Sequence, residues 1–112
     1  MIYKVRIMES AQKDMQEVYR YIAEDLLNPS AATHRIMDIE KAINSLKKMP
    51  RRFPLVVDDY LASKGLRMIV VKNHLVFFLV REEIKKVSVI RIIHLRRDWV
   101  RMLRINVDQI RN

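Results

Sequence analysis

The sequence predicts an α+β fold of order β-α-α-β-β-β: an N-terminal strand, an antiparallel helical hairpin packed on an antiparallel sheet, and a short C-terminal helix. Three observations predict it. Apolar and charged residues alternate over the first eight positions; two apolar stripes with helical spacing come next with almost no connection between them; and three runs rich in β-branched and aromatic residues occupy the second half.

Tyr3, Val5 and Ile7 alternate with Lys4, Arg6 and Met8, the period of a strand with one face towards a core. Ser10 suits an N-cap, and Ala11, Met15, Val18, Ile22 and Leu26 then draw one stripe down a helix. Asn28-Pro29 ends that helix and starts the next, because asparagine caps and proline loses nothing at a first helical position. The second stripe is Ala32, Ile36, Ile39, Ile43 and Leu46, and it stops at Met49-Pro50. From Arg51 to Lys64 the pattern lapses into a loop punctuated by Pro54 and closed by Gly65. Strands are expected over Leu66–Val71 and His74–Val80, joined through Lys72-Asn73, and over Val87–Ile93 after a polar turn at Arg81–Ile84. The first strand has no hairpin partner in sequence and is expected beside the last or second-last strand. Trp99, Leu103, Val107 and Ile110 lie about one helical turn apart, with Arg101, Arg104 and Arg111 largely elsewhere on the wheel, so a helix is expected over 98–111. With the hairpin on one face of the sheet, the opposite face is expected as an exposed concavity.

A chain of 112 residues is one domain's worth, 1–112, and has no repeat or linker. It contains no apolar run of the roughly 18 residues that a spanning helix needs, and its start does not resemble a signal peptide. A cytoplasmic protein with no membrane partner is expected. The absence of cysteine removes disulfides, thiolate metal sites and thiol nucleophiles. No phosphate-cradling glycine loop occurs, and the three histidines are isolated in sequence, so no cofactor and no metal are expected. The formal charge of +9, from 22 Lys and Arg against 13 Asp and Glu, attracts polyanions or an acidic protein.

A metal-free ribonuclease needs a base, an acid and cations for the charge developing on phosphate. His94 and Arg96 are the candidates for such chemistry, with Arg67, Arg91 and Arg97 as further cations. Each has a plainer role. His94 reads first as a histidine packing or capping at a strand end, Arg96-Arg97 have Asp98 as an internal partner, and Arg67 has Asp58 and Asp59. Tyr19, Tyr21 and Tyr60 read as core or rim packing. As contacts to a target or partner, Arg67, Arg91, Arg96, Arg97, Trp99 and Leu103 form the candidate set. The apolar stripe of the terminal helix by itself favours docking on the sheet.

Several strings occur together in a recognisable order: Tyr3-Lys4-Val5 with Ser10-Ala11, Tyr19-Arg20-Tyr21-Ile22-Ala23, Asn28-Pro29-Ser30-Ala31-Ala32, Ile43-Asn44-Ser45-Leu46, Gly65-Leu66-Arg67, Asn73-His74-Leu75-Val76-Phe77-Phe78 and His94-Leu95-Arg96-Arg97-Asp98-Trp99. In that order and spacing the chain resembles the RelE/ParE superfamily of type II toxin–antitoxin toxins, its ParE branch in particular. The resemblance implies an acidic cognate antitoxin as partner, one of two targets, and, as the alternative to docking, a terminal helix held loosely enough for the antitoxin to replace or clamp it. RelE-like members cut messenger RNA on the ribosome, whereas ParE-like members poison DNA gyrase. The RelE-like site uses an arginine just after the aromatic residue that opens the third strand, and Leu75 stands at that place here. The resemblance therefore implies gyrase as the target, with ribosome-dependent mRNA cleavage or plain nucleic-acid binding as alternatives.

Overall fold

A computed structural model of the chain describes the backbone of residues 2–110 and the side chains of 2–106. Strand β1 (Lys4–Ile7) leads into α1 (Glu9–Arg20), and α2 (Pro29–Asn44) completes the hairpin. A short α3 (Asp59–Ser63) precedes β2 (Arg67–Val71), β3 (His74–Arg81) and β4 (Lys86–His94), and α4 (Trp99–Ile110) ends the described chain. The sheet order is β1-β4-β3-β2, antiparallel throughout the β2–β3–β4 meander. β1 pairs with the last strand and runs parallel to it.

The second helix keeps its predicted stripe: Ala32, Ile39, Ile43 and Leu46 are buried and Ile36 packs against them. The first keeps only part of its own. Between Tyr21 and Asp25 the helix widens into a π turn, with the Leu26 N–H bonded to the Tyr21 carbonyl at 3.0 Å. The extra residue in that turn rotates the end of the helix, so Ile22 stays buried while Leu26 is turned out to solvent. At the α2 start, the Asn28 side chain accepts the Ala31 N–H, with Pro29 just inside, as predicted.

Ser10 is not the cap. The cap position is Met8, and the Ser10 hydroxyl donates instead to the Ile90 carbonyl at 2.7 Å. The reason lies in the sheet: β1 ends at Ile7, opposite Val89, so β4 beyond that point has a bare edge whose backbone groups need partners from α1.

The expected loop over 51–64 contains structure of its own. Pro50–Arg52 forms a 3-10 turn, and Asp58 caps α3 by accepting the Leu61 N–H. Gly65, at φ +84°, turns the chain into β2 in a conformation that costs other residues most.

Two cores result, one on each face of the sheet. The hairpin face gathers Ile69, Val71, Val76, Phe78, Val87, Val89 and Ile92 under α1 and α2. The opposite face is covered, contrary to expectation: Leu75, Phe77, Ile90 and Ile93 pack beneath Val56, Leu61 and Leu66, with Leu103 and Trp99 of α4. The strands explain it. β3 is apolar at consecutive positions from Leu75 to Phe78, the pattern of a strand buried on both sides, so a one-sided cover would leave Leu75 and Phe77 in water. Of the predicted terminal helix, the stripe residues Val107 and Ile110 lie outside the described side chains, and Arg111, on the other side of the wheel, lies outside the described residues. Among the described residues no helix is long and apolar enough to cross a membrane.

Candidate functional site

The candidate residues gather around the C-terminal half of β4 and the turn into α4. There β4 carries a bulge: Phe78 opposes Val89 but Phe77 opposes Arg91, leaving Ile90 as the extra residue. The bulge directs Arg91 between α1 and α4. Its guanidinium donates twice to the Asp14 carboxylate, at 2.7 and 3.0 Å, and a third time to the Asn106 side-chain oxygen at 2.7 Å. The same Asp14 carboxylate accepts the Ile92 N–H at 2.8 Å, covering the bare edge of β4. The Arg91 and Asp14 side chains are only 16% and 15% exposed. Arg91, a candidate for target contact, is thus committed to a bidentate internal pair that ties three elements together.

Arg67 is committed too, though not to the carboxylates the sequence offers. Its guanidinium donates to the Phe53 carbonyl at 2.7 Å and to the Arg51 carbonyl at 3.3 Å, while Asp58 pairs with Arg104 at 2.9 Å. Partial burial, and then the charge of Arg51, push the Arg67 pKa below its ordinary value. The Asp58 carboxyl is held below its ordinary range by the Leu61 N–H first and by Arg104 second.

Arg96 and Arg97 are the opposite case. Both are exposed, and among the described residues neither guanidinium has an ion-pair or hydrogen-bond partner. Asp98, their neighbour in sequence, instead accepts the Arg101 N–H at the start of α4. Trp99 lies against Phe77 with ring centroids 5.2 Å apart, and Leu103 is fully buried, so α4 is docked on the sheet.

The histidines that look isolated in sequence come together. The β3–β4 register sets His74 opposite His94, with ring centroids 5.3 Å apart at an interplanar angle of 80°. The Arg35 guanidinium donates to His74 Nδ1 at 3.0 Å, and the Arg96 backbone N–H donates to His94 Nδ1 at 3.1 Å. Both donors have only protons to give, so each ring accepts at Nδ1 and carries its proton on Nε2. Neither ring keeps a vacant lone pair to act as a base. Burial first, then Arg35 and His94, push the His74 pKa down to about 4. Among the described residues no cluster of three or more His, Cys, Asp or Glu is arranged to hold a metal ion.

The family described as "ParE toxin of type II toxin-antitoxin system, parDE" matches this chain over residues 5–99. The chain belongs to the ParE toxin family. Solved structures with a similar fold include the chromosomal ParDE toxin–antitoxin system of P. aeruginosa, at a TM-score of 0.70 and 16% identity over 85% of this chain and 98% of that one. E. coli toxin RelE, as an arginine-to-alanine double mutant in the free state, gives a TM-score of 0.65 at 16% identity over 98% and 99%. A chain of the RelBE2 toxin–antitoxin complex of Mycobacterium tuberculosis gives 0.58 at 19% over 84% and 99%. No curated protein sequence matches the chain. At these identities the structural likeness shows the fold, which RelE and ParE toxins share.

Within this ParE-family fold, Leu75 has a definite place. It is buried in the core beneath α4, where its neighbours are apolar and a cation would face desolvation without a partner. Sequence reasoning missed three residues that organise the site: Asp14, Asn106 and Arg35. Each sits on a helix face that looks like an ordinary solvated one, and its partner lies 15 to 77 positions away.

Proposed function

We propose that this ParE-family toxin acts on DNA gyrase by protein–protein contact, performs no bond chemistry of its own, and is neutralised in the cytoplasm by an acidic cognate antitoxin as part of a plasmid-stabilising or similar addiction module. The observation that carries the reading is Leu75 packed into the apolar core beneath α4, at the position where the resemblance to RelE-like chains implies an arginine. Two others support it. Arg91 is neutralised by Asp14, and His94 has its accepting nitrogen occupied by the Arg96 N–H, so a cation and a base that a ribonuclease would use are both engaged elsewhere.

Arg96 and Arg97 are the groups available to meet acidic or phosphate groups on a target. Stabilising the cleaved-DNA state of a topoisomerase requires only tighter binding to that state than to others. The antitoxin reading rests on the net charge of +9 and on the toxin–antitoxin complexes among the structural neighbours. The test is gyrase supercoiling and DNA cleavage with purified protein, followed by rescue with the product of an adjacent short acidic reading frame. The expected result is loss of supercoiling and accumulation of cleaved DNA, both reversed by that product. Intact supercoiling at concentrations that arrest growth, together with codon-phased mRNA cuts abolished by His94→Ala or Arg96→Ala, would replace gyrase with the ribosome as target.

A further inference from the structure

The cover on the second face of the sheet is partial. α3 and α4 close it over Leu75, Phe77, Ile90 and Ile93, whereas the rungs nearer the β3–β4 turn carry a different set of residues on that face. On β1, Tyr3, Val5 and Ile7 pack into the hairpin core, so Lys4 and Arg6 project from the opposite face. The register sets Lys4 beside Lys86 and Lys86 beside Arg81; one rung pair further on, Arg6 lies beside Ser88 and Ser88 beside Leu79. Val5, Val87 and Val80 form the rung between these two and all pack under the hairpin, so both outer rungs share the second face.

Three cations therefore stand in one row across three strands, about 5 Å from neighbour to neighbour, with Arg6 about 7 Å from Lys4 along β1. All four are exposed, and among the described residues none of their side chains has an ion-pair or hydrogen-bond partner. The acids of the adjoining turn do not relieve them: Glu82 is engaged by Tyr3 and Lys85, and Glu83 pairs with none of the four. Like charges directly opposite each other destabilise a sheet. Protection of a free edge against strand addition accounts for Lys4 and Arg6, because charged edge strands resist pairing. It does not account for Lys86, which lies on a strand paired on both sides.

A polyanion laid across such a row removes the repulsion, and the candidate polyanions differ in what else they require. An acidic peptide that folds on its partner needs pockets for apolar anchors, and a single nucleic-acid strand needs aromatic rings on which its bases stack. The two rungs offer one half-buried leucine, Leu79, and no aromatic ring. The backbone of a duplex requires only cations and hydroxyls, which Lys4, Arg6, Arg81, Lys86 and half-buried Ser88 supply. We propose that this face of β1, β4 and β3 is a second interaction surface, at the opposite end of β4 from Arg96 and Arg97, that holds the phosphate backbone of duplex DNA without reading its sequence. The choice of DNA over RNA rests on the gyrase reading; the contact with duplex phosphates does not.

The test is equilibrium binding of the full chain to labelled duplexes by fluorescence anisotropy, between about 50 and 200 mM salt. Two DNA duplexes of unrelated sequence should bind equally, with log K falling against log salt at a slope of about −3 to −4 if all four cations meet phosphates. Lys4→Gln with Lys86→Gln should weaken binding at least about tenfold and reduce the steepness of that slope by about 2. Lys41→Gln with Lys72→Gln makes the same change in net charge at exposed positions elsewhere and should leave the slope as it was. Lys86→Gln should also raise the urea midpoint at low salt, because it removes the centre of the repelling row. Equal losses in the two double variants, unchanged binding in a folded Lys4→Gln/Lys86→Gln chain, discrimination between the two DNA sequences, or tighter binding of an RNA duplex would overturn the proposal. Displacement of DNA by polyglutamate of matched charge more readily than by unlabelled duplex would assign the surface to an acidic protein instead. No gyrase is present in the measurement, so failure of the gyrase assay and failure of this surface are separate results.

Discussion

Phe77 and Phe78 are consecutive residues of β3, both fully buried, yet they belong to different cores. Phe78 points under the helical hairpin and meets Phe53 edge-on at 6.2 Å, whereas Phe77 points under α4 and meets Trp99 at 5.2 Å. The hairpin core is built from long apolar stripes on two helices. The α4 core rests on a five-residue helix, one terminal helix and a polar clamp through Arg91 and Asn106. One face is closed chiefly by hydrophobic area, and the other needs directed hydrogen bonds to seat its cover.

The largest expected effects divide the two faces. Phe77→Ala and Phe78→Ala should each cost about 3–5 kcal/mol in urea unfolding. Combined with Trp99→Ala in a double-mutant cycle, Phe77 should show a coupling of about 1 kcal/mol and Phe78 close to none. Equal coupling of both residues to Trp99 would mean that the two cores do not act separately.

Next comes the clamp. Asp14→Ala leaves the Arg91 guanidinium without its carboxylate and the Ile92 N–H without its acceptor, for an expected loss of about 3 kcal/mol. Adding Arg91→Ala should cost little more, because the partner of an absent carboxylate has little left to lose. Additive losses in the double variant would refute the pairing.

A pH profile tests the open end of the sheet. The His74 pKa is about 4 in the folded chain against an ordinary 6.5, so between these values the unfolded chain binds the proton and the native chain does not. Stability is therefore fully present above pH 6.5 and is lost as pH falls towards 4, by about 2 kcal/mol between pH 8 and pH 5. His74→Gln should flatten that slope; a slope unchanged by the substitution would assign it to other groups. The smallest stability effect belongs to Arg96→Ala and Arg97→Ala, within about 0.5 kcal/mol because neither guanidinium has a partner to lose among the described residues. Their effect should appear in gyrase inhibition instead, and a double variant with full inhibitory activity would remove them from the target contact.

Much of this molecule is legible without coordinates. Element order can be read from local periodicity, which survives because each helix and strand must turn its apolar residues inwards. The α2 cap, the α2 stripe and the meander are local events, and their residues announce them. Local pattern fails where distant segments share a boundary. The π turn breaks the first stripe at Leu26, and Ser10 serves the edge of β4 instead of a helix cap, because β1 stops short of covering that edge.

The sequence by itself determined the fold class, the family and the charge. Only the tertiary structure decided which charges are spent. Arg91 and Arg96 are both arginines near the end of β4, and the same local reading fits each. The bulge at Ile90 turns one towards Asp14, 77 positions away, and the chain turn after His94 leaves the other in water. The same bulge makes the histidine pair. Counted outwards from Arg81 and Lys86, an unbroken ladder would set His74 opposite Ile93, and the one extra residue brings His94 there instead. A single insertion in a ladder shifts every pairing beyond it, and nothing in the local composition of β4 reports that shift.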